Sequence, residues 1–334
     1  MTTTLSILGA GSWGTALALQ AARNGCPTVL WGHNRDHMAQ IEQQRENRRY
    51  LAGFPFPPNL MVTDSLQTAV ISSDLILLVV PSHAFRNTLQ AIKPLLTANQ
   101  SVIWATKGFD CQQGALLSDI SHQILGAGIR TAVLSGPTFA KEVAAGLPTA
   151  LTIASASDQL AGQLTGILHN PTFRTYTSHD MTGVQVGGAC KNVLAIAAGI
   201  ADGLGFGANT RAALITRGLS EIMRLGINLG GQADTFMGLT GLGDLILTCT
   251  DNQSRNRRFG LALGQGKSRA QALQDIGQEV EGISAAHEAY LLSQKHQVDM
   301  PITEQVYKVL FEDLNPKAAV HNLLARDQKP EISG

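Results

Sequence analysis

Residues 5–31 read LSILGAGSWGTALALQAARNGCPTVLW. A short apolar run, Leu5–Leu8, leads straight into Gly9-Ala10-Gly11-Ser12-Trp13-Gly14. An alanine- and leucine-rich stretch, Thr15–Asn24, is closed by Gly25, and Thr28–Trp31 is a second short apolar run. Strand, GxGxxG, helix and strand within about thirty residues is the βαβ unit that binds a dinucleotide. Gly9 makes the tight turn out of the strand, Gly11 lets the backbone approach a pyrophosphate, and Gly14 lets the helix pack on the sheet. The pyrophosphate then meets free N–H groups and the positive end of a helix dipole.

The end of the second strand bears on which dinucleotide is bound. An NAD site usually places Asp or Glu there for the ribose 2′-hydroxyl. This chain has Trp31-Gly32-His33-Asn34-Arg35, with no carboxylate before Asp36. His33 and Arg35 are candidates for a 2′-phosphate, so NADP(H) is expected to be accepted alongside or ahead of NAD(H). The plainer reading makes Arg35 an ordinary surface residue and lets both cofactors bind.

Further on, residues 37–73 are charge-rich and read as a helix and then a proline-containing loop. Asp74–Val80 is a buried parallel strand ending in Pro81-Ser82-His83. Ser101–Ala105 is another strand and ends in Thr106-Lys107-Gly108-Phe109. Thr131–Leu134 ends in Ser135-Gly136-Pro137-Thr138-Phe139-Ala140-Lys141-Glu142, and Thr149–Ala154 adds a further strand. Three successive strands thus end in polar, Gly- or Pro-containing loops, the carboxyl edge where ligands bind in such sheets. Lys107 is placed to face that crevice; otherwise it is a surface lysine. The fold class is α/β, a Rossmann-type doubly wound domain over residues 1–180.

After about residue 180 the pattern turns helical, so an all-α domain is expected over 181–334. Residues 180–211, DMTGVQVGGACKNVLAIAAGIADGLGFGANTR, read as a long helix and a glycine-rich loop. Its apolar residues leave little room for a solvated face. Gly187 and Gly188 each cost about 1 kcal/mol in a helix interior, so something must approach that backbone closely. Lys191 and Asn192 follow, and Lys191, Ala195, Ala198 and Asp202 share one face. A desolvated lysine has a lowered pKa and serves as a proton donor or acceptor near neutral pH. A lysine that snorkels or pairs with an acid is the alternative. Asp244 stands where the glycine-rich turn Gly238–Gly243 meets an apolar helix. It is either a carboxylate on the helix dipole or a partner that tunes Lys191. Ser254-Arg255-Asn256-Arg257-Arg258 suits a phosphate, or is a solvated basic turn.

The whole chain bounds these readings. Its 334 residues suffice for two full cores, and 44% hydrophobic with 15% charged residues marks a globular protein. Zero formal net charge gives no general drive toward nucleic acid or an anionic membrane, and 5% aromatic residues offer no stacking platform for single strands. The basic cluster Arg255, Arg257 and Arg258 is too local to imply such a surface. Four cysteines, Cys26, Cys111, Cys190 and Cys249, form no CxxC pair and read as reduced thiols. His33 and His37 lack a nearby third ligand and read as two exposed histidines, so no metal is expected. The N-terminus lacks the pattern of a signal peptide, and the longest strongly apolar run, Leu75–Val80, is too short to span a membrane. A cytoplasmic protein without membrane insertion is expected.

The chain resembles soluble NAD(P)-dependent glycerol-3-phosphate dehydrogenases of the bacterial biosynthetic type nearly end to end. The resemblance rests on GAGSWGTALA (9–18), LWGHN (30–34), ATKGF (105–109), SGPTFAKE (135–142), GGACKNVLAIAAGIADGLGFGANTRAALITRG (187–218), GLGDLILTCT (241–250), SRNRRFG (254–260) and VEG (280–282). It implies reversible hydride transfer between NAD(P)H and dihydroxyacetone phosphate, giving sn-glycerol 3-phosphate for glycerophospholipid synthesis, and a homodimer. By the same resemblance Lys191 is the proton donor, Lys107 helps polarise the carbonyl, and Asn192, Asp244 and Thr248 complete the catalytic cluster. Ser254, Arg255 and Asn256 hold the substrate phosphate, with Gly136 and Thr138 lining the site. Ser12, Trp13, His33, Lys107, Ala140, Arg255 and Glu281 contact the cofactor. Glu279 stands where a small apolar residue is expected, which weakens that one contact. Competing readings are another β-hydroxyacid-type NADP dehydrogenase, which needs a carboxylate site, and an NADP(H) sensor, which has no need of a buried Lys191.

Overall fold

A computed structural model describes residues 3–327; the extreme ends of the two expected segments, 1–2 and 328–334, lie outside the described residues. Eight strands form one sheet: β1 Leu5–Leu8, β2 Thr28–Trp31, β3 Leu60–Thr63, β4 Leu75–Leu78, β5 Ser101–Trp104, β6 Arg130–Ser135, β7 Thr149–Ala154 and β8 Phe173–Ser178. Their order is β3-β2-β1-β4-β5-β6-β7-β8. All neighbours are parallel except β6 and β7. The chain winds outward from β1 in one direction, then resumes at β4 on its other side. That reversal opens a crevice beyond the carboxyl ends of β1 and β4, the topological switch point.

The inner strands β1, β4 and β5 are fully buried, as continuous apolar runs require when helices cover both faces. Two strands escape the sequence pattern. β3, placed by the sequence in a loop, is an edge strand whose Met61 is exposed. β8, FRTYTS, buries only Phe173.

Beyond the sheet a helix runs Met181–Gly203, and every residue from Gly183 to Ala201 is buried. It is long and apolar enough by composition to cross a membrane, yet its apolar window lies wholly inside the protein. The next helix begins at Ala208, earlier than the glycine-rich loop was expected to end. Helices Ala208–Asn228, Asp244–Thr250, Arg255–Gly264 and Glu281–Lys295 surround the central one.

The glycines of the central helix are contact points. A Cβ on Gly187 would lie 2.6 Å from the Thr240 carbonyl oxygen, and one on Gly188 would lie 2.7 Å from Ser135 Oγ. Further along, Gly199 and Gly203 face Gly260 and Gly264 of the helix Arg255–Gly264. A Cβ at any of these four would collide with a backbone carbonyl of the opposite helix. Backbone meets backbone along this seam, which sets the register between Lys191-Asn192 and Arg255-Asn256.

Candidate active site

A cavity of about 900 Å³ lies between the carboxyl edge of the sheet and the helical half. At its floor Gly9 has a φ of +130°, and a Cβ there would press on the Val79 carbonyl. Over Gly11 a Cβ would meet open space. The helix Ser12–Arg23 starts there with no side-chain cap and no acid in its first turn. Its leading N–H groups are thus available to an anion. Trp13 Nε1 is buried without a partner. These features fit the pyrophosphate of a dinucleotide.

Around β2 the expectations need correction. Trp31, Gly32, His33 and Asn34 line the cavity, but Arg35 does not. Asn34 caps the helix Arg35–Gln44 through a 2.8 Å bond from His37 N, so Arg35 is the first helical residue and turns outward. Its side chain is 89% exposed and lies 3.6 Å from Asp64. In its place Arg49, with Tyr50, lines the cavity from the four-residue helix Arg48–Leu51. Ser12 Oγ donates to the Tyr50 carbonyl at 2.8 Å, fastening this helix over the glycine turn. His37 is buried, not exposed as the sequence suggested. Its Nε2 lies 3.1 Å from Asn47 Oδ1, and desolvation holds its pKa below the usual histidine value.

Two lysines and one aspartate occupy the crevice. Lys107, just past β5, donates to Asp244 Oδ2 at 2.7 Å and to the Gly136 carbonyl at 3.2 Å. Lys191, from the central helix, bonds Asp244 Oδ1 and donates to Thr248 Oγ1 at 3.0 Å. Asp244 is 1% exposed and is the first residue of the helix Asp244–Thr250, preceded by the π-helical turn Leu239–Gly243. Of the two readings of Asp244 the pairing with Lys191 holds; the backbone reaches it already helical from Leu239, so it marks a change of helical pitch and not a free helix end. Desolvation lowers the Lys191 pKa to about 8, aided by Lys107 and opposed by Asp244. Each ammonium has three protons and the protein engages two, so each keeps one N–H for a further acceptor. Asp202, on the same helical face, takes no part; Arg211 and Arg257 hold it.

The third wall comes from residues 253–258 and 277–281. Ser254 Oγ caps the helix Arg255–Gly264 by accepting from Arg257 N at 3.2 Å. Arg255 and Arg258 line the cavity, whereas Arg257 turns away to the Cys249 carbonyl and Asp202. Arg255 Nη1 donates to Gln278 Oε1 at 3.3 Å. Glu279 lines the cavity and lies 3.1 Å from His83 Nδ1. Glu281 also lines it; burial pushes its pKa up, while Arg255 pulls it down. Thr138 and Ala140 also line the cavity. Gly136 is buried and contributes the carbonyl that Lys107 uses. Arg49, Tyr50, Gln253 and Gln278 are cavity residues that the sequence did not single out.

Comparison with known proteins identifies the family. A family model described as "NAD-dependent glycerol-3-phosphate dehydrogenase N-terminus" matches residues 4–161, and one for the C-terminus of the same family matches 180–321. The chain is 58% identical to a glycerol-3-phosphate dehydrogenase [NAD(P)+] of Colwellia psychrerythraea and 56% identical to that of Aeromonas hydrophila, each over 98% of both chains. It superposes on a crystal structure of glycerol-3-phosphate dehydrogenase from Coxiella burnetii with a TM-score of 0.95 at 48% identity, covering 97% of this chain and 99% of that one. The chain belongs to the NAD-dependent glycerol-3-phosphate dehydrogenase family.

Proposed function

We propose that this protein reduces dihydroxyacetone phosphate to sn-glycerol 3-phosphate with NAD(P)H, reversibly. The observation that carries the proposal is the pair Lys107 and Lys191 on one buried Asp244, facing a glycine-rich dinucleotide crevice and a nearby arginine. Bound NAD(P)H supplies the hydride. The chain's own task is to stabilise negative charge on the carbonyl oxygen and to deliver a proton to it. Lys191 Nζ has the free N–H and the lowered pKa that proton delivery needs. Lys107 places a second positive charge at the same oxygen. Asp244 and Thr248 hold Lys191 in position. Arg255, with the helix N-terminus capped by Ser254, takes the phosphate, a non-reacting handle that orients the ketone. The sheet-bearing residues up to 180 hold the cofactor; residues from 181 supply Lys191, Asp244 and the phosphate site. The product is the backbone of glycerophospholipids. On the family resemblance we place the enzyme in the cytoplasm as a homodimer.

The test is NADPH oxidation with dihydroxyacetone phosphate and, separately, with unphosphorylated dihydroxyacetone. Rapid oxidation with only the phosphorylated ketone supports both the reaction and the handle. Equal rates with the two ketones would remove the phosphate site from the proposal. No oxidation with either would remove the reaction.

Cofactor choice follows from the β2 end. His33 and Arg49 are cavity-lining groups there able to carry positive charge, and no cavity-lining carboxylate accompanies them. Arg49→Ala is expected to raise KM for NADPH about tenfold and to leave KM for NADH within about twofold, the scale of one charge-assisted phosphate contact. Equal effects on both cofactors would assign Arg49 to the adenine or pyrophosphate instead.

A further inference from the structure

The amide of Asn192 has one polar atom without a partner. Asn192 is 3% exposed, lines the cavity, and its Nδ2 is buried with no hydrogen bond. An orphaned buried donor costs about 1–3 kcal/mol, so its orientation needs a cause. The cause is traceable bond by bond. The backbone N–H of Gly282 can only donate, and it donates to Asn256 Oδ1 at 2.9 Å. The other end of that amide is therefore Nδ2, which donates to Asn192 Oδ1 at 2.9 Å. Asn192 has no freedom left: its oxygen is taken, and its N–H₂ is the end that remains.

Glycine is required at the head of this chain of bonds. A Cβ on Gly282 would lie 2.8 Å from each of the Asn192 carbonyl oxygen, Asn256 Oδ1 and Ile196 Cδ1. Any side chain there would push the N–H away from Asn256. The neighbouring residue, Glu281, lines the cavity.

We infer that Gly282 and Asn256 are positioning residues that fix the polarity of Asn192, so that Asn192 presents a hydrogen-bond donor to an oxygen of the bound substrate. The inference deepens the function proposed above and rests on it for the substrate. Asn256 spends its Oδ1 on Gly282 and one of its two Nδ2 protons on Asn192; it lines the cavity and keeps a second N–H, so orienting Asn192 is a task added to the phosphate contact that the resemblance assigns to it. A substrate oxygen that accepts from Asn192 Nδ2 relieves the buried donor, and an analogue with no acceptor there does not. Such sites discriminate strongly because the mismatch leaves a polar group unpaired.

Asn256→Asp and Asn256→Leu test this. The introduced carboxylate still accepts from Gly282 but offers a second acceptor to Asn192. The Asn192 amide must then turn and give its N–H₂ to that carboxylate, leaving oxygen toward the substrate. Leucine keeps the shape and imposes no polarity. Asn256→Asp is expected to raise KM for dihydroxyacetone phosphate about fiftyfold and Asn256→Leu about fivefold, with the NADPH dissociation constant close to wild type. The direct reading is the side-chain ¹⁵Nδ2 signal of Asn192, assigned by its loss in Asn192→Asp. In wild type it should move when sn-glycerol 3-phosphate binds. In Asn256→Asp it should already be displaced without ligand and stay there on addition. A negative charge merely repelling phosphate would leave the ligand-free signal at its wild-type position, and that result overturns the inference. Equal kinetic damage from the two substitutions also overturns it, because packing alone would then explain Asn256. If wild type fails to turn over the phosphorylated ketone, the proposed reaction falls while the ligand-free Asn192 signal still decides the polarity.

Discussion

Lys191→Ala is expected to lower kcat for ketone reduction about a thousandfold, within the range of positioned general acids, and to leave the NADPH dissociation constant within about twofold. Lys191 Nζ is bonded to Asp244 and Thr248, so its loss removes a proton source without touching the glycine turn. The pH dependence of the wild type follows from the same group. Reduction needs the ammonium, and the Lys191 pKa is lowered to about 8 because burial disfavours the charge. Reduction should therefore fall as pH rises through about 8. Oxidation of glycerol 3-phosphate needs the neutral amine and should rise through the same pH. A variant that keeps kcat within about threefold, or a wild type whose two directions share one pH trend, would remove Lys191 from the proton step.

Asp244→Asn should be nearly as damaging, for a different reason. The carboxylate is the counter-charge of two ammonium groups at once. Its charge raises the Lys191 pKa, while Lys107 and desolvation lower it. With the charge gone only the lowering influences remain, so the Lys191 pKa falls below about 8. At pH 7.5 reduction is expected to drop about a hundredfold, from lost positioning of both lysines together with lost protonation of Lys191, and the pH at which it is half lost should move down by at least about one unit. Acidification should recover part of the activity, which Lys191→Ala cannot show. Breaking a buried ion pair also costs stability, about 3–5 kcal/mol when a charge is left uncompensated. A lower thermal midpoint should accompany the kinetic change. An unshifted pH profile would mean that Asp244 only shapes the pocket.

Much of this was legible in the chain because the decisive contacts are encoded locally. Gly9, Gly11 and Gly14 sit between two short apolar runs; the structure uses Gly9 and Gly14 where the turn and the helix packing require glycine, and Gly11 faces open space. Gly187-Gly188 before Lys191-Asn192 announced a close approach, and Thr240 and Ser135 provide it. Residues whose placement depends on one turn of backbone were harder. Arg35 looked suitable beside His33, but Asn34 starts a helix and turns the next side chain to solvent. Arg49 carries no local signal, since its helix is four residues long within a charge-rich stretch and tertiary contacts alone bring it to the cavity. β3 and β8 lie at the sheet's two edges, where half-exposed strands lose the continuous apolar run that betrays the inner ones. The engagement of both ends of the Asn256 amide depends on residues 64 and 26 positions away, beyond the reach of any sequence pattern.

The glycine seam at Gly199, Gly203, Gly260 and Gly264 turns the site into a caliper. Lys191 stands on one jaw and Arg255 on the other, and no side chain at the seam can be trimmed to bring the jaws closer. Enlarging one collides with a carbonyl, so the gap is fixed in both directions. The span from proton donor to phosphate is therefore a property of the backbone. A ketone phosphate with one more carbon between its two ends is out of gauge, however polar its handle. Selection for a longer substrate would have to act on walls outside the caliper, such as residues 277–281, which Arg255 touches through Gln278.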